Sequence, residues 1–200
     1  MSKNILVVTP LQEEYDDLYN SLTAHGLKPA GGKIGKLPVH RFPDLRLTLA
    51  RGGHGKTQFG IQTQHLLDHE TFDLVICAGA AGALHPDVRV GDLIAATHTF
   101  EHDYNLKFAQ RPNPQFEGHS KSIEQLQDPG LEAGFNIHVG VMASGDEDVI
   151  DVERGRELHK MSGALGVAWE GSAARGRANS AACRISNCAA QPTQPITKRR

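Results

Sequence analysis

Ile76-Cys77-Ala78-Gly79-Ala80-Ala81-Gly82-Ala83-Leu84, followed by Val90-Gly91-Asp92-Leu93-Ile94, decides how this chain folds. The stretch reads as a buried strand, a glycine turn, and a second strand that opens at Gly-Asp. A glycine directly after a strand carries no Cβ, so the backbone there can pass close to a ligand. In an open α/β sheet, ligands sit at the carboxyl ends of the strands. The stretch therefore predicts an α/β fold with a small-molecule site beside Gly79–Gly82.

Outward from it, strands and helices alternate. Ile5-Leu6-Val7-Val8 is a buried strand. Glu13 to His25 is a helix, because Tyr15, Leu18, Tyr19 and Leu22 recur at helical spacing. Gly31, Gly32 and Gly35 mark a turn region, and Leu45 to Ala50 alternates as a half-exposed strand. Gly52 to Gly55 is a glycine loop leading into a helix from Thr57 to His69. Leu74 to Ala78 and Asp92 to Thr97 are further strands. Pro112, Pro114 and Pro129 predict a long loop with one helical turn from Arg111 to Gly130. Ile137 to Ala143 is a strand, Val152 to Met161 a helix and Leu165 to Trp169 a short strand. The alternation predicts a mainly parallel sheet covered by helices, with no internal repeat.

Two hundred residues, 39% hydrophobic and 22% charged, fit one ordinary soluble domain. A net charge of −2 favours neither nucleic acid nor an acidic membrane surface. No apolar run has the length of a membrane span, and Met1 to Asn4 is too short for a signal peptide. Three cysteines without metal-site spacing, Cys77 inside an apolar run, fit a reduced cytoplasmic protein.

The tail differs. From Arg175 to Arg200 there are six basic residues and no acidic one. The other 15 basic residues share the first 170 positions with all 23 acidic ones, a net of −8. Residues 175–200 read either as a disordered basic tail or as aberrant sequence beyond a frameshift or truncation.

Gly55-Lys56-Thr57 follows a strand like the end of a phosphate-binding P-loop, but Ala50 stands where the first Gly belongs. An NTPase is not expected. His98 and His102, with Asp103, have helical spacing, yet no third ligand lies nearby, and no metal or cofactor is expected.

Taken in order, several motifs resemble the purine nucleoside phosphorylase and nucleosidase superfamily, nearest to its hydrolytic branch, the 5′-methylthioadenosine/S-adenosylhomocysteine nucleosidases. They are Gln12-Glu13-Glu14 after the first strand, Gly53-His54-Gly55-Lys56, Ala78 to Leu84, Val90-Gly91-Asp92, His102-Asp103, Ala143-Ser144-Gly145-Asp146, and Val167-Ala168-Trp169-Glu170-Gly171. The resemblance runs from Ile5 to about Ala174, which sets a domain at 1–174 and an atypical tail at 175–200. It implies three α/β/α layers around a central mixed sheet, truncated at the C-terminus.

The resemblance also implies roles. Splitting a ribosyl C–N bond needs a held water, an acid for the departing base and a clamp on the ribose. Glu14, or Glu13 in its place, orients the water. Glu170 accepts the ribose hydroxyls, and Trp169 packs either on the sugar or in the core. Ala80, Ala81 and Gly82 run past ribose and base, Gly53 belongs to the glycine loop, and Ser144 and Asp146 precede the purine pocket. Where the family stacks an aromatic residue on the base, this chain has Glu147-Asp148-Val149-Ile150. The first-strand turn Thr9-Pro10-Leu11-Gln12 has no Arg for phosphate, which favours hydrolysis, and Arg51 keeps phosphorolysis as the alternative. The family's acid is an Asp a little over twenty residues past the ribose Glu. Here Gln191-Pro192-Thr193-Gln194 occupies that region, and no Asp follows Asp151. That favours the aberrant-tail reading. It predicts weak or absent activity, or a dead nucleoside-binding module. A homodimer is implied, with His102-Asp103 near its interface.

Overall fold

The computed structural model describes residues 3–105, 107–109, 111–173, 180–181 and 183–184. The first half is a six-stranded sheet built on β1 (Ile5–Thr9), flanked in parallel by β4 (Leu47–Arg51) and β5 (Leu74–Cys77). Ile5 stands level with Leu47 on one side and Leu74 on the other, so all three strands end at the same edge. Alternate side chains of these strands point to opposite faces. Leu6, Val8, Val75 and Cys77 pack with Phe59 and Leu66 of α2 (Lys56–His69). Val7 and Leu49 pack on the other face with Tyr15, Leu18, Tyr19 and Leu22 of α1 (Gln12–Ala24). Both faces are covered, which is why these strands read as unbroken apolar runs.

Two predicted features change. Gly31 and Gly32, expected in a turn, lie inside strand β2 (Ala30–Ile34), which forms an antiparallel hairpin with β3 (Leu37–Phe42) around Gly35. Only Ile34 of β2 is buried, so this edge strand carries no alternation to read. The segment from Arg111 to Gly130 holds its expected helical turn as the short helix α3 (Ser120–Leu126), but it also contains an unexpected strand, β8 (Gln115–Glu117). Pairing on the strand before it, His98 to Glu117 and Phe100 to Gln115, overrides the proline-rich composition.

The second sheet follows the order β12 (Cys183–Arg184), β7 (Leu93–Glu101), β9 (Ile137–Ser144), β10 (Gly166–Ala168), β6 (Gly82–Ala83), with β8 on the outside of β7. Strands β7, β9 and β10 are parallel, and β6 is antiparallel to β10. Glu101 stands level with Ser144, and Ser144 with Ala168. Helix α4 (Val152–Ser162) buries Leu158 against Ala143 and Val167. Asp151 caps it, accepting the N–H groups of Glu153 and Arg154 at 2.9 and 3.0 Å, and Gly163 ends it at φ 69°.

This is the α/β architecture with mixed sheets that the sequence implies. The Gly-Asp of the opening stretch is structural. Buried Asp92 starts β7, accepts Arg89 N–H at 2.9 Å, and binds His138 and Asn136 at 2.9 and 3.0 Å. Of the tail, β11 (Ser180–Ala181) pairs in parallel with β5 and β12 (Cys183–Arg184) antiparallel with β7. Gln191 to Gln194, where the acid was sought, lies outside the described residues.

Candidate active site

Both sheets deliver their strand ends to one cavity of about 340 Å³. From the first sheet come Pro10, Leu11 and Glu14 after β1, His54 after β4, and Ala80, Ala81 and Gly82 after β5. From the second come Glu147, Asp148 and Val149 after β9, and Trp169 and Glu170 after β10.

Glu14 is fixed by main-chain donors. It sits in the first turn of α1, where its Oε2 accepts Leu11 N–H at 2.9 Å. Leu11 has no side-chain acceptor of its own, so Glu14 supplies half of a capping box. Its Oε1 accepts Ala80 N–H at 2.6 Å, which ties α1 to the turn after β5. That turn must be thin: a Cβ on Gly79 would lie 2.8 Å from Glu14 Oε1 and 3.0 Å from Pro10.

Glu170 is 3% exposed, and its Oε1 accepts Gly55 N–H at 2.9 Å. Gly53 and Gly55 hold φ of 85° and 82°, a region that favours glycine, so the residue at the helix start has no side chain to cap α2. The cap comes from the other sheet instead. Asp146 Oδ1 accepts Lys56 N–H at 2.8 Å while Glu170 takes Gly55 N–H. Two carboxylates at the positive end of a helix are also favourable electrostatically. His54 covers this corner, its ring centroid 4.2 Å from that of Trp169 and its Nδ1 3.7 Å from Glu170 Oε1.

Lys56, the residue that made the loop resemble a P-loop, faces the protein. Its Nζ lies 2.6 Å from Asp103 Oδ1 and 3.3 Å from Glu101 Oε1. Asp103 Oδ2 accepts Asp146 N–H at 2.9 Å. Burial works against both charges, but the Lys56–Asp103 hydrogen bond prevails, raising the lysine pKa and lowering that of Asp103. Behind them, Ser172 donates its hydroxyl to Glu101 Oε1 at 3.0 Å and its N–H to Ser144 Oγ at 3.0 Å. Ser144 Oγ in turn donates to Trp169 carbonyl at 2.7 Å.

At the far end of the cavity, Glu147 takes a two-pronged grip from Arg154, with Nε and Nη2 at 2.7 and 2.8 Å. Arg154 holds the Glu147 carboxyl below its usual pKa. The fully buried His102 imidazole lies 3.3 Å from Glu147 Oε2, and burial pushes its pKa down.

Of the residues predicted for the site, Glu14, Glu170, Trp169, Ala80, Ala81 and Gly82 share this cavity wall. Glu13 lines a neighbouring groove with Asp17 and Leu18. Ser144 is wholly buried behind Trp169, and Asp146 faces a second cavity beside Gln58 and Ile61. Gly53 packs on Gln58, where a Cβ would meet it at 2.5 Å. Arg51 is exposed and off the wall. Sequence reading assigned nothing to His54, although its place between two glycines at a strand end was a usable signal. Among the described residues no group of three His, Cys, Asp or Glu is arranged to hold a metal ion.

The family model described as Phosphorylase superfamily matches residues 4–179. A 5′-methylthioadenosine/S-adenosylhomocysteine nucleosidase of Bacillus licheniformis is 29% identical over 121 residues, 56% of this chain and 52% of the relative. The chain thus spans about half of that relative's length. The enzyme of the same description from Staphylococcus aureus is 25% identical over 84% of this chain and 76% of its own. A Helicobacter pylori MTAN mutant, solved with 5′-methylthioadenosine in the active site, superposes with a TM-score of 0.80 at 22% identity. It covers 95% of this chain and 87% of its own. A futalosine hydrolase of the same species reaches 0.75 at 21% identity, over 93% and 88%. These two likenesses show the fold.

Proposed function

The chain belongs to the phosphorylase superfamily, and we propose that its cavity hydrolyses the N-glycosidic bond of a purine nucleoside, of the 5′-methylthioadenosine or S-adenosylhomocysteine type. One observation carries this reading. Two carboxylates, Glu14 and Glu170, stand on one cavity wall, each held by an N–H from a different loop. The relatives' descriptions supply the substrate type.

In this reading Glu14 holds the attacking water and takes its proton as the bond to the anomeric carbon forms. Glu170 accepts the ribose hydroxyls, and Trp169 and His54 close over the sugar. Ala80 to Gly82 let the ring lie against bare backbone. Clamping the sugar beside a fixed water removes most of the entropic barrier to attack. Hydrolysis suits the wall better than phosphorolysis. Its titratable residues are Glu14, Glu147, Asp148, Glu170 and His54, with no Lys or Arg among the described ones. Four carboxylates repel a phosphate dianion.

The nucleosidase is read as a cytoplasmic homodimer; among the described residues no helix is long and apolar enough to cross a membrane. Tyr104 and the wholly exposed Phe108, beside His102-Asp103, supply apolar surface for a second copy.

The test is incubation of the purified chain with 5′-methylthioadenosine, with and without inorganic phosphate, while free adenine is quantified. Adenine release independent of phosphate, with a free reducing sugar, is the expected result. Phosphate-dependent release with a sugar 1-phosphate returns the assignment to a phosphorylase. Thermal stabilisation by the nucleoside without turnover reduces the chain to a binding module.

A further inference from the structure

We propose that Asp148 selects the base, its carboxylate accepting a hydrogen bond from a purine 6-amino group and disfavouring a 6-oxo group, an inference that rests on the nucleosidase reading. The four carboxylates of the wall are not equivalent. Both oxygens of Glu14 accept main-chain N–H groups, at 2.6 and 2.9 Å. Glu170 is buried, bonded to Gly55 N–H and faced by His54. Glu147 is gripped by Arg154 through both oxygens. Asp148 is exposed to the cavity, and its carboxylate makes no hydrogen bond or ion pair among the described residues. All of its acceptor positions are left to a ligand.

Its position suits that task. Asp148 belongs to the loop after β9, whereas the two carboxylates assigned to water and sugar lie after β1 and β10. A base directed away from the sugar end meets Glu147, Asp148 and Val149, none of which has a side-chain donor as an ionised acid or a hydrocarbon. Arg154 is engaged by Glu147 and by Glu157. The Asp148 carbonyl accepts Ile150 N–H at 3.2 Å, a local turn that holds the loop while leaving the side chain unengaged.

The chemistry of the group decides what it reads. A carboxylate has acceptors and no proton to give. A 6-amino group turns N–H donors to it. A 6-oxo group turns oxygen lone pairs to its negative charge, and the neighbouring N1–H lies beside that oxygen, so the attraction of one is offset by the repulsion of the other. The loop from Glu147 to Ile150 holds no aromatic residue. Stacking on an aromatic ring tolerates either base, since every base has a π-face. A hydrogen bond to a charged acceptor does not.

The experiment compares the wild type with Asp148→Asn and Asp148→Ala on 5′-methylthioadenosine and its 6-oxo analogue, 5′-methylthioinosine. The asparagine amide can offer its oxygen to the amino group or its N–H to the oxo group, and alanine offers neither. Each variant is expected to lower the ratio of kcat/KM for the amino over the oxo substrate by about 30-fold. The change falls mostly on KM, because the amino group is held alike before and during bond breaking. Tm stays unchanged, because the side chain has no partner to lose. An unchanged ratio, whether through equal losses or none, overturns the proposal. So does a wild type that treats the two substrates alike or prefers the 6-oxo one, which leaves the nucleosidase reading standing. A wild type that hydrolyses neither substrate overturns the proposal and the nucleosidase reading together.

Discussion

The two ends of the cavity are built on different principles. At the end formed by Glu14 and Glu170, each carboxylate is held by a main-chain N–H reaching it across 66 and 115 residues of sequence. At the end formed by Glu147 and Asp148, the one strong restraint is a side-chain pair seven residues apart, Glu147 with Arg154. A main-chain donor is removed only by proline at its own residue, although at Gly55 the φ of 82° makes any side chain strained. The first end is therefore fixed by the fold, while the second can be retuned by single substitutions. Under the proposed nucleosidase reading the fixed end faces the sugar and the retunable end faces the base.

The sharpest way to break the comparison is Glu170→Ala. It removes the carboxylate that the proposed function assigns to the ribose hydroxyls, uncaps Gly55 N–H and leaves a void at a buried position. Nucleoside turnover is expected to fall by about 100-fold or more, since a small displacement at such a clamp is already that costly. Stability is expected to fall by about 1–2 kcal/mol through the lost cap. Adenine release and thermal melting measure the two. A variant with full turnover would move the ribose clamp elsewhere.

Lys56→Met tests the joint between the ends. Lys56 is four-fifths buried and holds Glu101 and Asp103, and Asp103 in turn holds the amide of Asp146, the second cap of α2. Without the ammonium, two carboxylates are left facing each other. A loss of about 3 kcal/mol is expected, in the range for removing one partner of a buried pair. Urea unfolding measures it. KM for the nucleoside should rise more than kcat falls, because the loop carrying His54 and Gly55 loosens. Lys56→Arg should restore most of the stability.

These long-range ties explain what was legible in the sequence. Ile5 to Val8 and Leu74 to Cys77 were readable because both their faces are buried and the apolar run is unbroken. Glu14 and Glu170 were readable because each follows a strand end. Lys56 was not: its local motif suggests an anion, and its carboxylate partners lie 45 and 47 residues away. The hairpin of β2 escaped because its glycines mimic a turn and only Ile34 is buried. Strand β8 escaped because Pro112 and Pro114 precede it and its reason for being a strand lies on β7. In each case the deciding contact is made by a segment that no local window contains.

The smallest effect is expected at the retunable end. Arg154 lowers the pKa of the Glu147 carboxyl, and Lys56 does the same for Asp103 against the cost of its burial. A carboxyl whose pKa is lower in the folded state binds protons less readily than it does unfolded. As pH falls below about 4, the unfolded chain takes up the proton first and stability declines until the folded carboxyl titrates too. Glu147→Gln removes one such group, so the decline in Tm between pH 5 and about 3 should become shallower than in the wild type. At pH 7 the loss should be only about 0.5 kcal/mol, because both partners of the pair are one-third exposed. Hydrolysis of the nucleoside should persist, since Glu14 and Glu170 keep their main-chain donors. A large loss of turnover in Glu147→Gln would mean that the base end is as tightly built as the sugar end, and the contrast between them would fail.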